Sequence, residues 1–139
     1  MGLLDDKVVV ITGAGNGIGR SHALAFAAEG ASVVVNDVGS SRDGEAEATP
    51  NAADAVVKEI EAAGGRAVAS YESVATIEGA QAIIGHGIET FGKVDVLVNN
   101  AGILRDKTFL KMDESQWDAV IAVHLKGTFC CTQPVFRWM

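Results

Sequence analysis

The chain has only two cysteines in 139 residues, side by side at Cys130-Cys131, with neither a CxxC pair nor a metal-ligand spacing. A disulfide framework and a zinc module are thereby excluded. The thiols read as reduced core or interface groups of a reducing compartment, the cytoplasm by default. Positive charge is also scarce: 11 Lys and Arg against 18 Asp and Glu leave a net charge of -7. Without a basic stripe, nucleic acid is disfavoured as a partner. No apolar run approaches the roughly 20 residues of a membrane span, and no charged n-region with an apolar h-region marks a signal peptide. The expectation is a chain without membrane association. Repeats and low-complexity segments are missing too. What is present is a 48% hydrophobic composition with 16 glycines, which suits one tightly wound α/β domain over residues 1–139.

The organising stretch is Val8-Val9-Val10-Ile11-Thr12-Gly13-Ala14-Gly15-Asn16-Gly17-Ile18-Gly19-Arg20. Four apolar, mostly β-branched residues predict a strand buried on both faces, as at the centre of a parallel sheet. Glycines follow, then an Ala-rich segment of helical composition. A strand that turns through glycines into a helix N-terminus builds an anion site from free N–H groups and the helix dipole. The common G-x-G-x-x-G fingerprint does not fit. Thr-Gly-x-x-x-Gly-x-Gly does, on Thr12, Gly13, Gly17 and Gly19. For this stretch alone, a glycine-rich turn without a ligand is the alternative.

Along the chain, the first strand is expected over Lys7–Ile11 and a helix over 17–29, closed by Gly30. A second buried strand, Ser32–Asn36, leads into Asp37, 18 residues beyond Gly19. A dinucleotide fold places an acid there to accept the adenosine ribose hydroxyls and repel a 2′-phosphate, favouring NAD over NADP. A solvated loop aspartate is the alternative, and Arg20 and Arg42 are the basic residues that stand against the preference. A polar loop over 38–49 precedes a helix opened by Thr49-Pro50 and stopped by Gly64-Gly65. A third strand, Arg66–Tyr71, a helix over 76–91 weakened by Gly85 and Gly87, and a fourth strand, Val94–Val98, follow. Asp113-Glu114-Ser115-Gln116 is a capping box. It starts a last helix on which Trp117, Val120, Ile121, His124 and Leu125 share one face, and which Pro134 should kink or end. The alternation predicts an open, Rossmann-type parallel sheet with helices on both faces and strand order 3-2-1-4.

Asn99-Asn100-Ala101-Gly102, at the end of the fourth strand, completes a pair of motifs with the glycine stretch. Together they resemble the short-chain dehydrogenase/reductase family, of which the chain covers about the N-terminal half. Asn36-Asp37-Val38-Gly39, Tyr71-Glu72-Ser73-Val74, Ala101–Asp106 and Val123–Gly127 are similar to one subgroup of that family. This is the (3R)-hydroxyacyl-CoA dehydrogenase domain of peroxisomal-type multifunctional β-oxidation enzymes. The resemblance implies that Gly13, Asn16, Gly17, Ile18 and Gly19 hold the pyrophosphate and that Asp37 holds the adenosine ribose. It implies further that Glu72 receives the adenine amino group beside the Ser73-Val74 backbone. Asn99, Ala101 and Gly102 would pass along the cofactor toward the nicotinamide ribose. The activity implied is hydride transfer between NAD and a secondary alcohol or ketone, with a 3-hydroxyacyl thioester as substrate.

The departures from that family are specific. Its catalysis uses a Ser and a Tyr-x-x-x-Lys pair, but the single tyrosine, Tyr71, is followed four positions on by Ala75. Tyr71 is therefore expected to pack the sheet, and the catalytic segment is expected after residue 139, so that the chain alone should be inactive. His124 aligns with a helical Asn that assists the proton relay; a satisfied histidine on a helix face is its alternative. His22 and His86 are assigned no role, and Lys126 reads as a solvated or helix-end charge. The fourth strand is expected to leave an apolar edge unpaired, making the chain a homo-oligomer, domain-swapped or unstable. The second functional reading is a non-catalytic dinucleotide-binding or interaction module that pairs through this edge.

Overall fold

The computed structural model describes residues 2–40 and 51–139. Four parallel strands, β1 (Val8–Thr12), β2 (Ser32–Asn36), β3 (Arg66–Ser70) and β4 (Val96–Val98), form one sheet in the order β3-β2-β1-β4. The register sets Val9 beside Val33 and Val96, and Ile11 beside Val35 and Val98. Helices α1 (Gly17–Ala28) and α2 (Asn51–Ala62) cover one face. Helix α3 (Ile77–Phe91) and the last helical segment cover the other.

Side-chain alternation along the strands divides the core in two. Val9, Ile11, Val33 and Val35 meet Ala23, Ala53, Val56 and Ile60 on one face. On the opposite face Val10 and Val34 meet Ala80, Ile83, Ile84, Cys130, Cys131 and Val135. Covered on both faces, β1 and β2 bury every residue, which is why they read as unbroken apolar runs. Gly87, which costs helix propensity in α3, lets that helix close on the sheet. A Cβ there would stand 3.1 Å from Val94 and 3.3 Å from Val34. The cysteines are buried and unpaired, and burial, aided by Cys130, pushes the Cys131 thiol up to about 11.

Several boundaries differ from expectation. The first strand runs one residue further, to Thr12, and α1 closes at Ala28 with Gly30 at φ 94. β3 ends at Ser70, so Tyr71 does not pack the sheet. Instead its ring is half-exposed and its hydroxyl donates to Asp54 Oδ1 at 2.6 Å. That bond, ahead of some burial, raises the Tyr71 pKa. β4 is shorter than expected, Val96–Val98, although Asp95 still joins β1: its N–H donates to the Val8 oxygen at 2.9 Å and its Oδ2 accepts the Val8 N–H at 2.8 Å. The Thr49-Pro50 opening and Arg42 lie outside the described residues.

The capping box forms as expected, with Asp113 Oδ1 accepting the Gln116 N–H at 2.9 Å. The helix it starts is in three parts, α4 (Glu114–Val120), a π-helical stretch over Ile121–Lys126, and α5 (Gly127–Phe136), ending two residues after Pro134. Its buried side differs from the expected one. Trp117 and Leu125 are mostly exposed, whereas Gly127, Cys130, Cys131 and Val135 face the core. A π-helical turn changes the angular advance per residue, so a face projected from α4 does not continue into α5. Among the described residues no helix is long and apolar enough to cross a membrane.

Candidate functional site

In a parallel sheet the carboxyl ends of the strands share one edge, so the loops after β1, β2, β3 and β4 meet there. The glycines after β1 are required for different reasons. Gly13 and Gly17 take φ of 63 and 53, which favours glycine. Gly19 is set by close approach, since a Cβ there would lie 2.2 Å from the Gly13 oxygen and 2.5 Å from Asn100 Nδ2. Asn16 stands at the N-cap of α1 in extended conformation, and its side chain makes no capping bond. The Arg20 N–H closes the first turn on the Asn16 oxygen at 3.1 Å, and the N–H groups ahead of it stand at the open end of the helix.

Asp37 closes the second side. Its Oδ2 accepts the Gly15 N–H at 2.9 Å and its Oδ1 accepts the Gly39 N–H at 2.7 Å. A Cβ on Gly15 would stand 2.7 Å from the Ala52 Cβ and 2.8 Å from that carboxylate, so Gly15, outside the four-residue motif, is required by close approach of both. Arg20 is drawn away from the carboxylate into an ion pair with Glu59 at 2.6 Å. On the third side, Glu72 is exposed, Val74 is buried, and Ser73 Oγ accepts the Ala75 N–H at 3.2 Å.

The loop after β4 is tied directly to the glycine stretch. Thr12 Oγ1 accepts the N–H groups of Asn100 and Ala101, both at 3.1 Å, and Asn100 Nδ2 donates to the oxygens of Thr12 and Gly13 at 3.0 and 2.9 Å. Neither residue was singled out from the sequence for a role of its own, although each stands in one of the two motifs. Thr12, Val74, Asn99 and Ala101 line one narrow cleft with Val123, Gly127 and Thr128, which brings three of the four loops against the last helix. Asn99 turns its Nδ2 to Thr132 Oγ1 of α5 at 3.1 Å. Gly102 faces the His124 ring, and a Cβ there would lie 2.7 Å from Cε1. His124, in the π-helical stretch, presents Nε2 to the Ile103 backbone, 3.0 Å from its nitrogen and 2.9 Å from its oxygen. Only one of these bonds forms in each tautomer. Ile18 is exposed at the start of α1.

Among the described residues no group of His, Cys, Asp and Glu is arranged to hold a metal ion. The chemistry available at the edge is anion binding by backbone N–H groups beside a carboxylate with lone pairs for hydroxyls. This fits a dinucleotide: an uncapped helix start for a pyrophosphate and an acid for a ribose.

Residues 7–139 match the model of the short chain dehydrogenase family. A peroxisomal multifunctional enzyme type 2 of Drosophila melanogaster is 55% identical over 97% of this chain and 22% of its own length. A 3-oxoacyl-[acyl-carrier-protein] reductase of a Synechocystis species is 45% identical over 100% of this chain and 53% of its own. The crystal structure of a short chain dehydrogenase from Mycobacterium avium superposes with a TM-score of 0.90 at 54% identity, over 99% of this chain and 49% of that one. The chain thus spans from about a fifth to about half the length of these proteins.

Proposed function

Because the chain belongs to the short-chain dehydrogenase/reductase family of Rossmann-fold oxidoreductases, we propose that residues 1–139 form an NAD-binding domain serving hydride transfer with a secondary alcohol or ketone. The observation that carries this is the carboxylate of Asp37 held by the Gly15 N–H at 2.9 Å, immediately before the uncapped start of α1. Gly13, Asn16, Gly17, Ile18 and Gly19 hold the pyrophosphate. Asp37 accepts the adenosine ribose hydroxyls. Glu72, Ser73 and Val74 border the adenine, and Asn99, Ala101 and Gly102 lead toward the nicotinamide ribose. The bound dinucleotide supplies the hydride acceptor.

The charge at Asp37 makes NAD the preferred form. A 2′-phosphate would meet a carboxylate, and Arg20 of α1, a basic candidate to receive that phosphate, is paired with Glu59. NADH should quench Trp117 or Trp138 fluorescence at least about tenfold more tightly than NADPH, and the gap should narrow in Asp37→Ala. Tighter NADPH binding would end the NAD assignment.

The substrate class we propose is 3-hydroxyacyl thioesters. Support comes from the subgroup segments in the sequence and from relatives named as a multifunctional enzyme and a 3-oxoacyl reductase. No Tyr-x-x-x-Lys pair for the alcohol proton lies among these residues, where Ala75 stands four positions after Tyr71 and the Tyr71 hydroxyl is engaged at Asp54. His124 is the residue here that could hold a relay water through the imidazole nitrogen not turned to Ile103. NADH formation by the full-length protein from a 3-hydroxyacyl-CoA tests the substrate class, and turnover confined to simple alcohols would refute it. The half-buried edge strand β4 suits a second reading, a dinucleotide-binding module without turnover that pairs through this edge. Binding of NADH with no oxidation of any hydroxyacyl thioester would select it.

A homo-oligomer is part of this reading. Leu125, Phe129 and Phe136 stand exposed along the outer side of the last helix around a shallow apolar concavity. Phe129→Asp should lower the sedimentation coefficient to that of a smaller species. Residence in a reducing compartment, the cytoplasm, is proposed on the two unpaired buried thiols, and imaging of a tagged protein checks it.

A further inference from the structure

We propose that Asn36 is a positioning residue that sets the width of the adenosine subsite; this rests on the dinucleotide reading above. Asn36 is the last residue of β2 and only 1% exposed, in a strand otherwise filled by three valines and a serine. A buried amide is costly unless its hydrogens are bonded. Here Nδ2 donates to the Glu72 oxygen at 2.9 Å, with the Ser70 oxygen and hydroxyl both at 3.4 Å. The two carbonyl partners fix the orientation of the amide, because only the nitrogen can serve them.

The location explains why a side chain is needed. Asn36 pairs with Ser70 at the last step of the β2–β3 ladder, so Glu72 lies beyond the reach of strand pairing. The backbone of Asn36 meanwhile holds the other two walls. Its oxygen accepts the Ala14 N–H of the glycine stretch at 2.8 Å, and the next N–H, that of Asp37, donates to the Ser70 oxygen at 2.9 Å. The glycine loop, the ribose acid and the turn before α3 thus converge on one residue. The amide fixes how far the Ser73-Val74 backbone stands from the Asp37 carboxylate. Adenosine must fit that distance.

Asn36→Val keeps the bulk of the strand and removes the donor. In the full-length protein it should weaken binding of ADP-ribose and NADH by about tenfold, the worth of one buried hydrogen bond. It should leave binding of nicotinamide mononucleotide, which lacks the adenosine half, within about twofold. Amide hydrogen exchange over residues 71–75 should accelerate while β1 stays protected. If Asn36→Val does not fold, Asn36→Ser, whose hydroxyl is too short to reach Glu72, should show the same split. Equal losses for mononucleotide and ADP-ribose, or an ADP-ribose affinity unchanged in both variants, would overturn the inference alone. A wild-type protein that ignores ADP-ribose would overturn it together with the dinucleotide reading.

Discussion

The two sides of this sheet are built from similar residues and meet different fates. Around β1 and β2 the apolar side chains disappear: Val9, Val10, Ile11 and the three valines of β2 are 0% exposed, because helices cover both faces and strands flank both edges. On the other side β4 is an edge strand with only half-buried residues, and Leu125, Phe129 and Phe136 on the last helix are mostly exposed. Hydrophobic composition therefore does not locate the core; the number of covering layers does. Stability should reside on the β1–β2 side. Association should reside on the side of α5.

The largest effect that would break this contrast is expected at the joint between the two sides. Gly19→Val places its Cβ against the Gly13 oxygen and Asn100 Nδ2, atoms that bind the glycine stretch to the loop after β4. Affinity for NADH, measured by calorimetry, should fall at least about a hundredfold, with overpacking costing about 1–3 kcal/mol of stability. Gly85→Ala is the control, since nothing lies within 4 Å of a Cβ there. It should raise stability by about 0.5–1 kcal/mol through helix propensity. A Gly19→Val protein that binds NADH normally would show that the joint has room the geometry denies.

A paired substitution sharpens the contrast within the hydrophobic residues themselves. Ile11→Ala, in the covered strand, should cost about 2–5 kcal/mol in urea unfolding. Leu125→Ala, at 67% exposure, should lie within about 0.5 kcal/mol under conditions where the chain is monomeric. Equal costs would mean that Leu125 is covered in solution by something as extensive as the core.

The same contrast explains what could be read from the sequence. β1, β2, the strand order and the glycine stretch were legible because a strand covered on both faces is apolar at every position, and because turns with positive φ demand glycine. The capping box was legible because it is a purely local exchange of two hydrogen bonds. The inward face of the last helix was not, since a π-helical turn between α4 and α5 leaves no mark in side-chain periodicity. Tyr71 was misplaced because β-propensity cannot tell the last ladder residue from the first residue outside it. The ties of Thr12 to Asn100 and of Asn36 to Glu72 span 88 and 36 residues, and spacing along a chain carries no distance of that kind.

A smaller effect than that of Ile11→Ala concerns the polar latch that joins the two sides. Asp95, just before β4, accepts the Val8 N–H at the start of β1 and lies 3.0 Å from Lys93 and 3.9 Å from Lys7. Partial burial pushes its pKa up, but the Val8 N–H and the two lysines outweigh that and hold it below the ordinary value. A carboxyl with a folded-state pKa below its unfolded value stabilises the fold above the unfolded value of about 4. That stability is lost as pH falls through the lower folded-state pKa. Both lysines are about half exposed, so solvent screening keeps the increment to about 1 kcal/mol or less. Asn at this position retains an oxygen for the Val8 N–H but has no charge to titrate. Wild-type protein should therefore exceed Asp95→Asn in urea midpoint at pH 7, and the gap should close toward pH 3. A gap that stays constant across this range would show that Asp95 joins β4 to β1 through hydrogen bonding alone, with its charge contributing nothing.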